Sequence, residues 1–201
     1  MIKKIILILV LLNAAELVYS QCIISEIPKA KTYYEISKSE TANGNFQIVF
    51  YSQSSKTKDE FSHAYIGFFC YPKCYGNNCF DVFGFYPRIE KGKNKLPSNI
   101  RSIDDARNVL ILGFDTFEGA FKDDSSEKPD YALAVNVSLS DYNNARDMLN
   151  SYKIENLSYQ GLTSNCIDFA EDVAKCIGLK IPLTSIQQPN KFVKQLYILN
   201  K

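Results

Sequence analysis

The chain has 201 residues with 23 basic and 22 acidic side chains, a single histidine, 46% hydrophobic residues, and 13 each of tyrosine and phenylalanine. That length and apolar content suffice for one packed domain. The near-zero net charge gives no electrostatic reason to expect nucleic acid or an anionic membrane as a partner.

Lys3 and Lys4 open the chain, an unbroken apolar run covers residues 5–12, and Asn13 and Glu16 follow. A basic start, a short apolar stretch and small residues at Val18 and Ser20 form the pattern of a secretory signal, so residues 1–20 are expected to be a cleaved signal peptide. The apolar run is too short for a bilayer core of about 30 Å. Gln21, just before Cys22, is not the small residue that a lipoprotein signal requires there. Cleavage removes Lys3, Lys4 and Glu16 and leaves a neutral chain. The mature protein is expected to be a single secreted domain over residues 21–201, or periplasmic in a bacterium. A monomer without a stable membrane anchor is the expected form.

Six cysteines, Cys22, Cys70, Cys74, Cys79, Cys166 and Cys176, would then meet an oxidising compartment where disulfides persist. The crowding of Cys70, Cys74 and Cys79 fits a disulfide staple or a metal knuckle. With one histidine and no second cysteine pair at ligand spacing, the disulfide is the favoured reading and no metal is expected.

Along the mature chain, residues 46–51 form an apolar run that predicts a strand. Residues 61–69 predict a second strand, which carries His63, and residues 79–86 a third; together they read as a hairpin with an enlarged, cysteine-rich turn, ended by Pro87. Residues 88–130 are the least patterned, with a Gly/Lys/Asn/Pro loop at 91–99, an apolar run at 109–114 and a charged loop at 122–130, and are expected to be an insertion laid over the domain. Alternation over 131–137 predicts a fourth strand. Ser140 is the expected cap of a helix over 141–152, with Tyr142, Ala145, Met148, Leu149 and Tyr152 on one face. After a loop at 157–164, a helix is expected from about Asn165, with Phe169, Val173, Ala174 and Ile177 as its apolar face, Gly178 as its end and Pro182 preventing a restart. Residues 191–199 are amphipathic and fit a helix or a strand. Asn136 and Asn156 lie in glycosylation sequons, the first within the predicted strand. The fold class expected is α+β.

One constellation carries chemistry. A helix N-terminus stabilises a thiolate and donates to a developing oxyanion, which suits Cys166 as a nucleophile. An imidazole on a neighbouring strand can act as base and then as acid, and His63 is the only histidine that can do so. Taken singly, such a cysteine is ordinarily a small core residue or half of a disulfide, and Cys176 is of that kind.

The stretch Tyr159-Gln160-Gly161-Leu162-Thr163-Ser164-Asn165-Cys166-Ile167-Asp168-Phe169 resembles the Asn-Cys signature, with an aromatic three residues on, of circularly permuted NlpC-type papain-like hydrolases, a group that includes the lecithin:retinol acyltransferase-like enzymes. Ser62-His63-Ala64-Tyr65-Ile66-Gly67 is similar to the histidine strand that precedes the cysteine helix in those permuted proteins, and Gly84-Phe85-Tyr86-Pro87 resembles the strand that follows. The resemblance covers residues 61–87 and 131–180. It implies a permuted papain-like fold, an antiparallel sheet packed against the Cys166 helix, and acyl transfer without a cofactor. The implied substrate is an extracellular amide or ester: an amide bond of peptidoglycan or a peptide, which export favours, or a lipid ester or thioester. It also implies a polar group near Gly84 that orients the imidazole. Gly84 has no side chain, so the implied orienter is Asp81, brought into place by a bulge, or else a backbone carbonyl or water. A secreted, disulfide-stabilised binding or effector domain with the same fold and no activity is the competing expectation.

Overall fold

A computed structural model describes residues 28–38, 45–54, 62–70, 80–87, 117–154, 157–159, 165–183 and 188–201. The expected signal peptide, the cysteine-rich turn, most of the expected insertion and the Asn156 sequon lie outside the described residues. In chain order the elements are β1 (Thr32–Ser37), β2 (Phe46–Gln53), β3 (His63–Cys70), β4 (Phe80–Pro87), β5 (Phe117–Asp123), β6 (Tyr131–Asn136), α1 (Leu139–Ile154), β7 (Ser158–Tyr159), α2 (Cys166–Cys176) and α3 (Pro189–Asn200). The fold is α+β.

The strands form one seven-stranded sheet in the order β1-β6-β2-β3-β4-β5-β7. Its pairs are antiparallel except at one edge, where β1 runs parallel to β6, so the sheet is mixed rather than purely antiparallel. Edge strand β1 alternates half-buried and exposed residues and carries charge, which is why its sequence reads as mixed and polar. β2 and β3, in the middle, are buried along nearly their whole length.

Period-two alternation divides the sheet's apolar residues between two faces. Ile48, Phe50, Ala64, Ile66, Phe68, Leu133 and Val135 pack against the helices, meeting Tyr142, Ala145 and Leu149 of α1, Phe169, Ala170 and Val173 of α2, and Phe192, Val193 and Leu196 of α3. Val49, Tyr51, Tyr65, Phe69, Val82, Ala132 and Ala134 form a second buried cluster on the other face.

Three local expectations change. The region expected as an insertion contributes β5, which pairs with β4 as a full member of the sheet, and Phe121 packs its ring 5.0 Å from Phe169 and 5.2 Å from Phe85. The helix expected from 141 begins two residues earlier, because Ser138 rather than Ser140 caps it: Asp141 N donates to Ser138 Oγ at 3.1 Å, and Ser138 Oγ donates to Asp141 Oδ2 at 2.9 Å. The loop expected at 157–164 includes the two-residue strand β7, paired with β5. The Asn136 sequon is spent on structure: the Asn136 side chain is buried, accepts from Gln47 Nε2 at 3.0 Å, and donates to Glu35 Oε1 at 2.8 Å. Cys70 is disulfide-bonded, whereas Cys166 and Cys176 are free thiols.

Helix α2 has a reciprocal capping box. The Asn165 side chain accepts from Ile167 N at 2.8 Å and Asp168 N at 3.4 Å, while Asp168 Oδ2 accepts from Asn165 N at 2.8 Å. Its end is set by Gly178 at φ 70°, a left-handed conformation that glycine adopts without a Cβ penalty. Asn165→Ala removes the acceptor for two helix-start donors and is expected to lower stability by about 1 kcal/mol, with an upper bound near 2 kcal/mol, in urea unfolding followed by circular dichroism.

Candidate active site

Cys166 is the first residue of α2 and His63 the first of β3, and the two meet where the helix start abuts the strand. Both are nearly inaccessible, at 6% and 7% exposure. The two side chains are close enough for each to act strongly on the other's charge, and the Ala64 N–H lies beside the Cys166 sulfur.

The carboxylate beside the imidazole is Asp124, the residue that follows β5. Its Oδ2 lies 3.3 Å from His63 Nε2. Asp123 pairs with Phe83, and Asp124 N continues the ladder by donating to Val82 O at 3.0 Å. Asp124 thereby acquires the orientation of Val82 and Gly84, on the same side of the sheet as His63. Gly84 then lets the groups meet. A Cβ at Gly84 would fall well inside van der Waals contact with Asp124 Oδ2, His63 Nε2 and the Tyr86 ring. The position that lacks an orienting side chain in the sequence is the gap through which one arrives from the next strand.

Asp81, the expected orienter, is elsewhere. The β3–β4 register runs one to one from Phe69↔Phe80 to Tyr65↔Gly84 without a bulge, so Asp81 shares the helix-side parity of Phe83 and Phe85. It accepts from Arg146 Nη1 of α1, and the Arg146 guanidinium lies 5.3 Å from the Phe68 ring centroid. Asp81 ties α1 to the sheet and takes no part in the His63 cluster.

Two tyrosines complete the surroundings. Tyr86 lies against the imidazole at a ring-centroid distance of 4.0 Å, and its hydroxyl donates to both Asp124 oxygens at 3.0 Å. Tyr159 of β7 stands beside Cys166, and burial together with the Cys166 charge pushes its hydroxyl pKa up. A cavity of about 310 Å³ is lined by Phe83, Phe85, Phe121, Tyr152, Lys153 and Leu157, and Phe85 also touches the Tyr159 ring.

The electrostatics favour an ion pair. Burial works to lower the His63 pKa, but the Cys166 charge, the close Asp124 carboxylate and the contact with the Cys166 sulfur outweigh it and carry the imidazole up to about 9. Burial likewise works against the Cys166 thiolate. The His63 charge and close contact and the Ala64 N–H overcome it, so the thiol ionises below its ordinary range. Cys176 shows the opposite behaviour: burial and the Asp141 charge push its thiol up.

Asp124 and Tyr86 are the functional candidates that the sequence reading misses. Asp124 stands in the run Lys122-Asp123-Asp124-Ser125-Ser126-Glu127-Lys128, whose charge reads as solvated loop. The available signal is the aromatic-and-small stretch Phe117-Glu118-Gly119-Ala120-Phe121 just before it, which marks a strand end. No family model, curated protein or solved structure matches the chain.

Iodoacetamide should alkylate Cys166 with a smaller loss of rate between pH 8 and pH 6 than an ordinary thiol shows, while Cys176 reacts appreciably only at alkaline pH, as read by peptide mass spectrometry. Acid sensitivity of Cys166 like that of a free thiol would contradict the ion pair. Gly84→Ala forces the imidazole and carboxylate apart; it should slow Cys166 alkylation at pH 6 by about tenfold and destabilise the fold by about 1–3 kcal/mol.

Proposed function

We propose that the protein is a secreted cysteine hydrolase that cleaves amide bonds by acyl transfer, with a permuted papain-like arrangement of its histidine strand and cysteine helix. The observation that carries this reading is the buried line Cys166–His63–Asp124, with the sulfur at a capped helix start and the imidazole held charged. Three ionisable groups sharing a site from which water is largely removed are costly to fold around, and such clusters concentrate at catalytic centres. The leader-like first 20 residues support an extracellular place of action, and with it peptidoglycan or peptide amides as substrates.

In the proposed reaction the Cys166 thiolate attacks the carbonyl carbon, a C–S bond forms, and the carbonyl electrons move to oxygen. Collapse breaks the C–N bond as the His63 imidazolium gives its proton to the departing amine. The imidazole, neutral again, takes a proton from water; the hydroxide attacks the thioester, the C–S bond breaks, and a carboxylic acid leaves. With Nε2 turned towards Asp124, these transfers fall to Nδ1. The Ile167 and Asp168 N–H groups are occupied by the Asn165 cap, which leaves the Cys166 N–H as the helix-start donor for the oxyanion, with Tyr159 beside it.

The test is amine release from purified peptidoglycan fragments and from a panel of peptide amides. Cys166→Ala should abolish turnover and His63→Ala should lower it on the order of 10³-fold or more, with the double variant hardly worse than the poorer single one. Cys176→Ala should leave the rate per folded molecule unchanged. The alkaline limb of kcat should fall near pH 9, where the imidazolium that protonates the amine is lost. Full activity in Cys166→Ala would overturn the assignment. Tight binding of fragments without turnover would favour an inactive binding domain.

A further inference from the structure

The imidazole has a second constraint besides its two polar partners. His63 is faced by Cys166 from α2, by Asp124 from the end of β5, by Tyr86 from β4 and by Tyr65 from its own strand, whose ring is stacked at 5.8 Å. The Tyr86 ring is the nearer of the two, at 4.0 Å and 32°. Tyr86 in turn is faced by Lys122, 4.8 Å from its ring centroid, and feels the charges of Asp124, Glu127 and Cys166.

The polar contacts are unequal. The Tyr86 hydroxyl bonds both oxygens of Asp124, whereas Nε2 of His63, at 3.3 Å from Oδ2, lacks a well-aligned hydrogen bond. We propose that Tyr86 is a positioning residue, its ring backing the His63 imidazole while its hydroxyl pins the Asp124 carboxylate and holds it a few tenths of an ångström short of a full bond to Nε2. This rests on the hydrolase reading for its purpose and on the contacts alone for its existence. By sharing the carboxylate, the hydroxyl keeps the imidazolium from being stabilised so strongly that it fails to release a proton to the leaving amine. The ring keeps the imidazole aimed at the sulfur.

The two roles separate by substitution. Tyr86→Phe keeps the ring and frees Asp124 to bond His63 alone, so the imidazole should titrate roughly half a pH unit higher or more, and the alkaline limb of kcat should move with it. Tyr86→Leu removes both, and should lower kcat by about tenfold or more while KM changes by less than about twofold. The chain has one histidine, so an imidazole NMR titration of the full protein reports His63 without ambiguity. An unchanged or lowered His63 titration in Tyr86→Phe overturns the proposal, whatever the activity. If Tyr86→Leu does not fold, the Tyr86→Phe titration decides alone. If the wild-type protein hydrolyses nothing and the titration still rises, the positioning role stands and the hydrolase reading falls.

Discussion

Asp124 reaches His63 across β4 because Gly84 puts no side chain between them, and the rest of the site is arranged around that passage. The carboxylate is fixed from behind by the β4–β5 ladder, which runs one hydrogen bond past the strand end to Val82 O. The imidazole is fixed by standing at the start of β3, the neighbour of β4 on its other side. Three consecutive strands thus set the imidazole–carboxylate distance. Sheet register is held by burial on both faces, since a slip of one residue would exchange the core and site sides of every strand.

The two sides of β4 do different work. Phe83 and Phe85 join the helix-side core and Asp81 binds Arg146 there, while Val82, Gly84 and Tyr86 face the His63 side. The acidic residue near the start of β4 is a structural tie, and the acidic residue in an apparently solvated run belongs to the site. Charge in the sequence marks neither; the direction of the Cβ vector decides.

A buried thiolate and imidazolium are each penalised by desolvation, and each is the main compensation for the other. Asp124, the Ala64 N–H and the start of α2 add to the balance. The Asn165 capping box matters to this in two ways: it fixes the first turn that carries Cys166, and it occupies the donors of Ile167 and Asp168. The dipole of the helix start remains available to the sulfur while two N–H groups are withdrawn from competition. Tyr159, arriving on the two-residue strand β7, stands beside Cys166.

The alternation in residues 131–137, the apolar runs that became β2, β3 and β4, and the Asn165 start and Gly178 end of α2 follow from local chemistry, so the sequence by itself determined the α+β class, the histidine strand and the cysteine helix. Each of those signals lies within a dozen residues: period-two burial, a side chain that caps its own helix, a glycine that can take φ 70°. β1 and β5 were not legible, because an edge strand with alternating polar residues and a short strand running into a charged turn take their identity from a partner about a hundred residues away for β1 and about thirty to forty for β5. The third member of the site was hidden for the same reason. Nothing in the Lys122–Lys128 run shows that its second aspartate is buried; only the pairing of Phe83 with Asp123, and the absence of a side chain at Gly84, turn Asp124 towards His63. Tertiary structure alone decided which carboxylate meets the imidazole, because that choice depends on strand register and strand order, and neither is encoded in any segment short enough to be read by itself.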